Sequence, residues 1–144
     1  MVSSTKMINL FFIRGSFMRM VIISLCILVA LLGLWGWFYY ASVEPTINYY
    51  WDNLSSLSDI VGREDWETAK KNMDIYFDKW DEVKKLWIFF INQRDIDNIN
   101  SSMQQLYTYL RNQDKILAQA ELEHLMVLFY IIDENECLSL ENIF

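Results

Sequence analysis

Proline occurs once in this chain, at Pro45, histidine once, at His124, and cysteine twice, at Cys26 and Cys137. Each scarcity removes a class of function. A zinc site draws several Cys, His or carboxylate ligands together at close spacing, and one histidine without a cysteine cluster does not supply them. Four glycines, two of them (Gly33 and Gly36) inside an apolar run, leave no glycine-rich loop for a phosphate. Serine elbows and paired-histidine metal helices are also missing. Cys26 lies in the apolar run and Cys137 near the C-terminus, so they cannot pair within one chain. Cys137 could pair only with another molecule, and the simpler reading is a thiol without a role. Leu25 before Cys26 is not the small residue that lipidation requires.

Acid is absent from residues 1–43, which carry Lys6, Arg14 and Arg19 for a net charge of +3. The remainder holds nine bases and all 19 acids, a net −10. Between the two lies Met20–Tyr40, MVIISLCILVALLGLWGWFYY, with no charge in 21 residues. A helix of that length covers about 30 Å, the thickness of a bilayer's hydrocarbon core, and this one keeps no polar face. It reads as a transmembrane helix. The run is longer than a signal peptide's apolar region. Its end, at Trp35, Trp37, Phe38, Tyr39 and Tyr40, suits an aromatic belt better than a small-residue cleavage site.

Positive flanks stay on the cytoplasmic side. Residues 1–19 are therefore expected as a short basic cytoplasmic leader, 20–40 as the span, and 45–144 as an extracytoplasmic domain. Met18 followed by Arg19 makes a natural start just before the span, and the intact mass of the native protein distinguishes it from Met1. An acidic domain has no electrostatic basis for gripping nucleic acid.

Glu44-Pro45 is expected to end the membrane helix, because proline disfavours helical geometry in the residue before it. Beyond it, apolar residues step by three and four in four series. These are Ile47, Tyr50, Leu54, Leu57, Val61; then Trp66, Ala69, Met73, Tyr76, Trp80, Val83, Trp87, Phe90; then Ile96, Ile99, Met103, Leu106, Leu110; then Ala118, Leu122, Leu125, Phe129, Ile132. That spacing puts each set on one helical face, and strand alternation fits nowhere. Gly62 is expected to cap the first helix and Asp65 to open the second. Asn92–Asp95 and Asn112–Asp114 form short polar joints, and short joints make neighbours antiparallel. The fold class is all-α: one transmembrane helix, then an antiparallel four-helix bundle with heptad patterning. Glu67 with Lys71, and Asp81 with Lys85, are acid-before-base pairs one turn apart on exposed faces.

Two stretches exceed a single stripe: Leu86–Ile91 (LWIFFI) and Leu125–Ile132 (LMVLFYII). Facing each other at the centre of the bundle is the expected placement. The alternative is an outer face left open for a partner, with Trp87, Phe89, Phe90, Met126, Tyr130, Ile143 and Phe144 as the contact candidates. Leu138, Leu140, Ile143 and Phe144 follow an acidic segment, Asp133–Glu136. Burial of each large side chain contributes about 1.5–3 kcal/mol, so the tail is expected to pack back along the bundle.

Candidate chemistry is sparse. Trp66, Trp80 and Trp87 fall at core spacing. His124, beside Glu121 and Glu123, has no evident nucleophile to serve and reads as a half-exposed helix residue. Asp95 and Asp97 begin a helix, where carboxylates meet unpaired N–H groups. A cation site from these two with Glu121 or Glu123 is the weaker reading. No set of acid, base and nucleophile assembles, so no enzyme and no cofactor is expected.

Several of these residues together resemble the family known as domain of unknown function 4363. They are Asp65-Trp66 with Ala69, Trp80, Trp87, Ile96-Asp97 with Ile99, Glu121-Leu122 with Leu125, and the terminal Ser139–Phe144. The resemblance implies a short bacterial protein with one N-terminal membrane helix and a helical ectodomain. A histidine commonly stands in that family where this chain has Gln93, and a glutamate where it has Asp95. By analogy it also implies an accessory role beside a multi-span membrane protein. The expected function is an accessory or scaffold subunit of a bacterial membrane complex, with the bilayer and another membrane protein as partners. A ligand- or cation-sensing bundle is the alternative, against which the short cytoplasmic leader argues. Gly33 and Gly36 are three apart, so the span lacks the four-residue small-residue spacing of self-associating helices.

Overall fold

The computed structural model describes the backbone of residues 2–141 and the side chains of 18–135. Helix α1 runs Val2–Phe38. It divides from the rest as a unit of its own, Met1–Tyr39, with Tyr40–Phe144 forming the second. The apolar part of α1 turns aliphatic side chains outward on all sides, and its mean hydropathy is 2.5. Ser24 spends its hydroxyl on the Met20 carbonyl at 2.9 Å, which leaves no polar group of that residue seeking a partner. Among the described residues this is the one helix long and apolar enough to cross a membrane.

A five-residue π-helical segment, Tyr39–Val43, precedes α2 (Glu44–Gly62). Pro45 was expected to end the membrane helix. Instead the α-helical register ends earlier, at Phe38, and Pro45 occupies the first turn of α2. A proline's missing N–H costs nothing in a first turn, and a widened π turn before it relieves the clash of the ring with the preceding carbonyl.

Helix α3 (Trp66–Trp87) opens as expected on Asp65, whose Oδ1 accepts from the Thr68 N–H at 3.2 Å. Helix α4 (Gln93–Arg111) and helix α5 (Lys115–Glu141) follow. Each packs on the next, and α5 closes the ring on α2. Cross-helix contacts fix the directions. Lys115 Nζ at the start of α5 donates to the Gly62 carbonyl at the end of α2 (2.7 Å), while Tyr50 stacks on Phe129 further along both. Trp80 meets Asn100 and Phe77 meets Tyr107, so α3 and α4 run opposite ways. Ser102 meets Glu121 across α4 and α5. The result is an antiparallel four-helix bundle.

The stripes enter the core nearly as spaced. Every residue of the first, third and fourth series is buried; in the second, Ala69, Met73, Tyr76, Trp80 and Trp87 are buried, while Trp66 and Val83 are half-covered. Phe90 is the exception, exposed because α3 has already ended and the turn hands the inward place to Ile91. For the same reason Leu86–Ile91 does not sit at the bundle centre. Leu125–Ile132 buries Leu125, Phe129 and Ile132 but exposes Val127, Tyr130 and Ile131.

The centre is aromatic. Tyr50 and Phe129 stack at 4.4 Å and 10°, and Trp80 stands edge-on to Phe129 (5.8 Å, 88°) and to Tyr50 (6.3 Å, 82°). The polar tips are paired: Tyr50 Oη donates to the Tyr76 carbonyl (2.7 Å) and Trp80 Nε1 to Asn100 Oδ1 (2.6 Å). No buried side-chain nitrogen or oxygen among the described residues lacks a partner.

Three local expectations change. Gly62 keeps helical geometry, and the left-handed residue of the α2–α3 joint is Glu64 (φ 61°), because the helix extends through Gly62 before the chain reverses. The surface pairs form at three residues, Lys70 with Glu67 (2.6 Å) and Lys84 with Asp81 (2.5 Å), a spacing as close on a helix as four. Helix α5 continues through Asp133–Glu141 without the turn that a folded-back tail would need there; the Leu138 and Leu140 side chains, and Ile143 and Phe144, lie outside the described residues.

Two outcomes follow from this core and these joints. Burial, then Tyr49, holds the Tyr50 phenol well above its ordinary value of 10.0. The folded state keeps a proton that the unfolded chain releases above that pH, so Tyr50 contributes stability below pH 10.0 that is lost as pH rises past it. Tyr50→Phe should cost about 1 kcal/mol at neutral pH for the lost hydrogen bond, and the deficit should shrink in alkaline melts; a constant deficit would contradict the assignment. At the α4–α5 joint Gln113 holds φ 55°, a conformation costing about 1–2 kcal/mol in a non-glycine residue. Gln113→Gly, which surrenders about 0.5–1 kcal/mol to chain entropy, should leave stability unchanged or raise it by up to about 1.5 kcal/mol, and a lower melting temperature would refute the strain.

Candidate functional site

Outside the core stripe, α5 carries a second row at helical spacing: Glu123, Met126, Val127 and Tyr130. On the neighbouring helix α2, Trp51 projects toward the same row. Together these five line a groove of about 390 Å³, almost wholly apolar, between α2 and α5. A smaller hollow of about 260 Å³ continues it, sharing Trp51 and Tyr130 and adding Ile47, Asn48 and Asp133. Trp51, Val127 and Tyr130 are each about half exposed, at 47%, 51% and 48%.

The rim is acidic. Glu123 stands at one end and Asp133 at the other, and Tyr130 Oη donates to Glu134 Oε1 at 2.9 Å. That hydrogen bond, and the charge behind it, raises the Tyr130 phenol above its ordinary value. The ring is thereby held along the groove wall with its hydroxyl committed to the rim.

The contact candidates divide between places. Met126 and Tyr130 are in the groove. Phe89 and Phe90 are exposed on the α3–α4 turn and do not line the groove. Trp87 is no surface residue: it is fully buried, edge-on to Trp80 at 5.5 Å, and donates from Nε1 to Ser42 Oγ at 3.1 Å. Its series continues the core stripe to the last turn of α3, which is why it turns inward. Ile143 and Phe144 lie outside the described residues. Trp51 and Val127 were missed. Their signal was present in the sequence, since both are large apolar residues off the core stripe.

The polar candidates resolve as follows. Asn92, not Asp95 or Asp97, caps α4, accepting from the Arg94 N–H at 2.9 Å. Asp95 stands in the first turn, where a carboxylate opposes the helix dipole, and Asp97 accepts from Gln93 Nε2 at 2.9 Å. No three His, Cys, Asp or Glu side chains converge on a common point among the described residues. Glu121 bridges two groups: its Oε1 accepts from Ser102 Oγ at 2.5 Å and lies 3.1 Å from His124 Nδ1. Here the carboxylate stands between hydroxyl and imidazole, so the imidazole cannot take the serine's proton directly, and Ser102 is buried. The trio links α4 to α5.

The model of the family described as Domain of unknown function (DUF4363) matches residues 37–143. No curated protein and no solved structure matches the chain.

Proposed function

The chain belongs to the DUF4363 family, and from its geometry we propose that it is a non-enzymatic accessory or scaffold subunit of a membrane complex. Helix α1 is its anchor, with the N-terminus on the cytoplasmic side and the bundle outside. The α2/α5 groove receives an amphipathic helix of a membrane-protein partner. Three bases and no acid before the uncharged run support this orientation. The length and composition of α1 support the anchoring.

The observation that carries the reading is the groove itself. Trp51, Met126, Val127 and Tyr130 keep apolar surface in water beside a core that already has its own complete stripes. An apolar helix face laid between α2 and α5 would cover it, as helix-in-groove recognition requires. Glu123 and Asp133 at its ends favour a partner helix with basic residues flanking its apolar strip.

Purification of the full chain in mild detergent should bring down a membrane protein in fixed stoichiometry. Val127→Glu should release it, whereas Ile75→Glu, at an equally exposed position on α3, should retain it. A partner indifferent to Val127→Glu, or a monomer that gains thermal stability on adding a metal ion or small molecule, would contradict the proposal.

A further inference from the structure

The turn between α3 and α4 has an unusual composition. Connecting residues are usually Gly, Asn, Asp, Ser or Pro, which satisfy turn geometry and face water. Here the turn after Trp87 reads Ile88, Phe89, Phe90, Ile91. Ile91 is buried, but Ile88 is 49% exposed and Phe89 76% exposed, and Phe90 also reaches the surface. The core does not explain them, and neither does the groove, which lies between the other two helices.

Position in the chain supplies the explanation. Trp87, the residue just before this turn, donates its indole N–H to Ser42 Oγ at 3.1 Å. Ser42 follows Tyr40, the last residue of the uncharged run, by two positions. Successive Cα atoms are about 3.8 Å apart, so Ser42 stays within about 8 Å of the end of that run. The bundle therefore presents the α3–α4 turn at the end where the chain joins the span. Lys84, which pairs with Asp81, and Lys85 precede the turn, and Arg94, next to Asp95, follows it. Apolar side chains such as Phe and Ile beside basic residues are of the kind that bury into the headgroup–acyl boundary of a bilayer.

We infer that Ile88 and Phe89 insert into the interfacial layer of the bilayer that α1 crosses, so that the bundle has a second, non-covalent hold on the membrane. The inference rests on reading α1 as a membrane span. Its partner is lipid, where the groove's is protein.

The test uses the full chain in phosphatidylcholine vesicles, with and without phosphatidylglycerol. The native cysteines are first replaced (Cys26→Ser, Cys137→Ser). A single bimane label is then placed through Phe89→Cys, Ile116→Cys or Val29→Cys. Lipids spin-labelled near the headgroup should quench the label at position 89, which iodide in the water should barely reach. Position 116, on α5 beside the opposite joint, should show the reverse. Quenching at 29 by lipids labelled deep in the acyl chain reports the span independently. Iodide quenching at 89 equal to that at 116, with 29 still quenched by deep lipid labels, would overturn the inference and leave the span intact. Protection of 89 from both quenchers would also overturn it, in favour of a protein contact. Failure at 29 would sink the membrane reading beneath it.

Discussion

The flat stack of Tyr50 on Phe129, with Trp80 set edge-on against both, is the contact on which the bundle depends. Those three rings belong to α2, α5 and α3, and the Trp80 indole N–H reaches Asn100 on α4. One cluster thus touches all four helices. Large rings bury much area, and their edge-to-face and offset geometries add about 0.5–1.5 kcal/mol per pair beyond that burial. The hydrogen bonds at their tips do a different job. A tyrosine or tryptophan buried without a partner would cost about 1–3 kcal/mol, so pairing Tyr50 with the Tyr76 carbonyl and Trp80 with Asn100 sets which rotamers the core accepts. Shape and polarity together select one register of each helix against its neighbours.

That arrangement places everything else. With the core stripes inside, other large apolar residues stay on the surface, some singly, such as Ile75 and Ile116. Two groups stand together: Trp51 and Val127 in the α2/α5 groove, and Ile88 and Phe89 at the tip of the α3–α4 turn. Polar links close the rest of the ring: Lys115 ties the start of α5 to the end of α2, and the Ser102–Glu121–His124 trio ties α4 to α5. The charged surface is ordinary, with exposed pairs such as Lys70–Glu67 contributing a fraction of a kcal/mol.

Helix number, order and core faces were legible from the three-four spacing, because a stripe such as Ile96, Ile99, Met103, Leu106, Leu110 has one way to be buried. The uncharged run was equally plain. Features set by a few atoms were not. Whether Gly62 or Glu64 takes the left-handed position depends on where α2 gives out, and propensity alone favours the glycine. Asp95 and Asp97 have the chemistry of caps, but the chain enters α4 at Asn92. The apolar excess in Leu86–Ile91 gave no sign that a helix ends inside it, since the residues after Trp87 contain no breaker. For the groove, Met126 and Tyr130 could be picked out from one helix, but Trp51 could not be joined to them until α2 was known to lie beside α5.

Native-state hydrogen exchange on the full chain in detergent micelles addresses the central cluster most directly. If the three rings join the helices into one cooperative unit, the slowest amides of α2, α3, α4 and α5 near Tyr50, Trp80, Asn100 and Phe129 will exchange through a single opening. They will then share one free energy and one denaturant dependence. Exchange of α3 and α4 as a separate, less stable pair, while α2 and α5 stay protected, would contradict it.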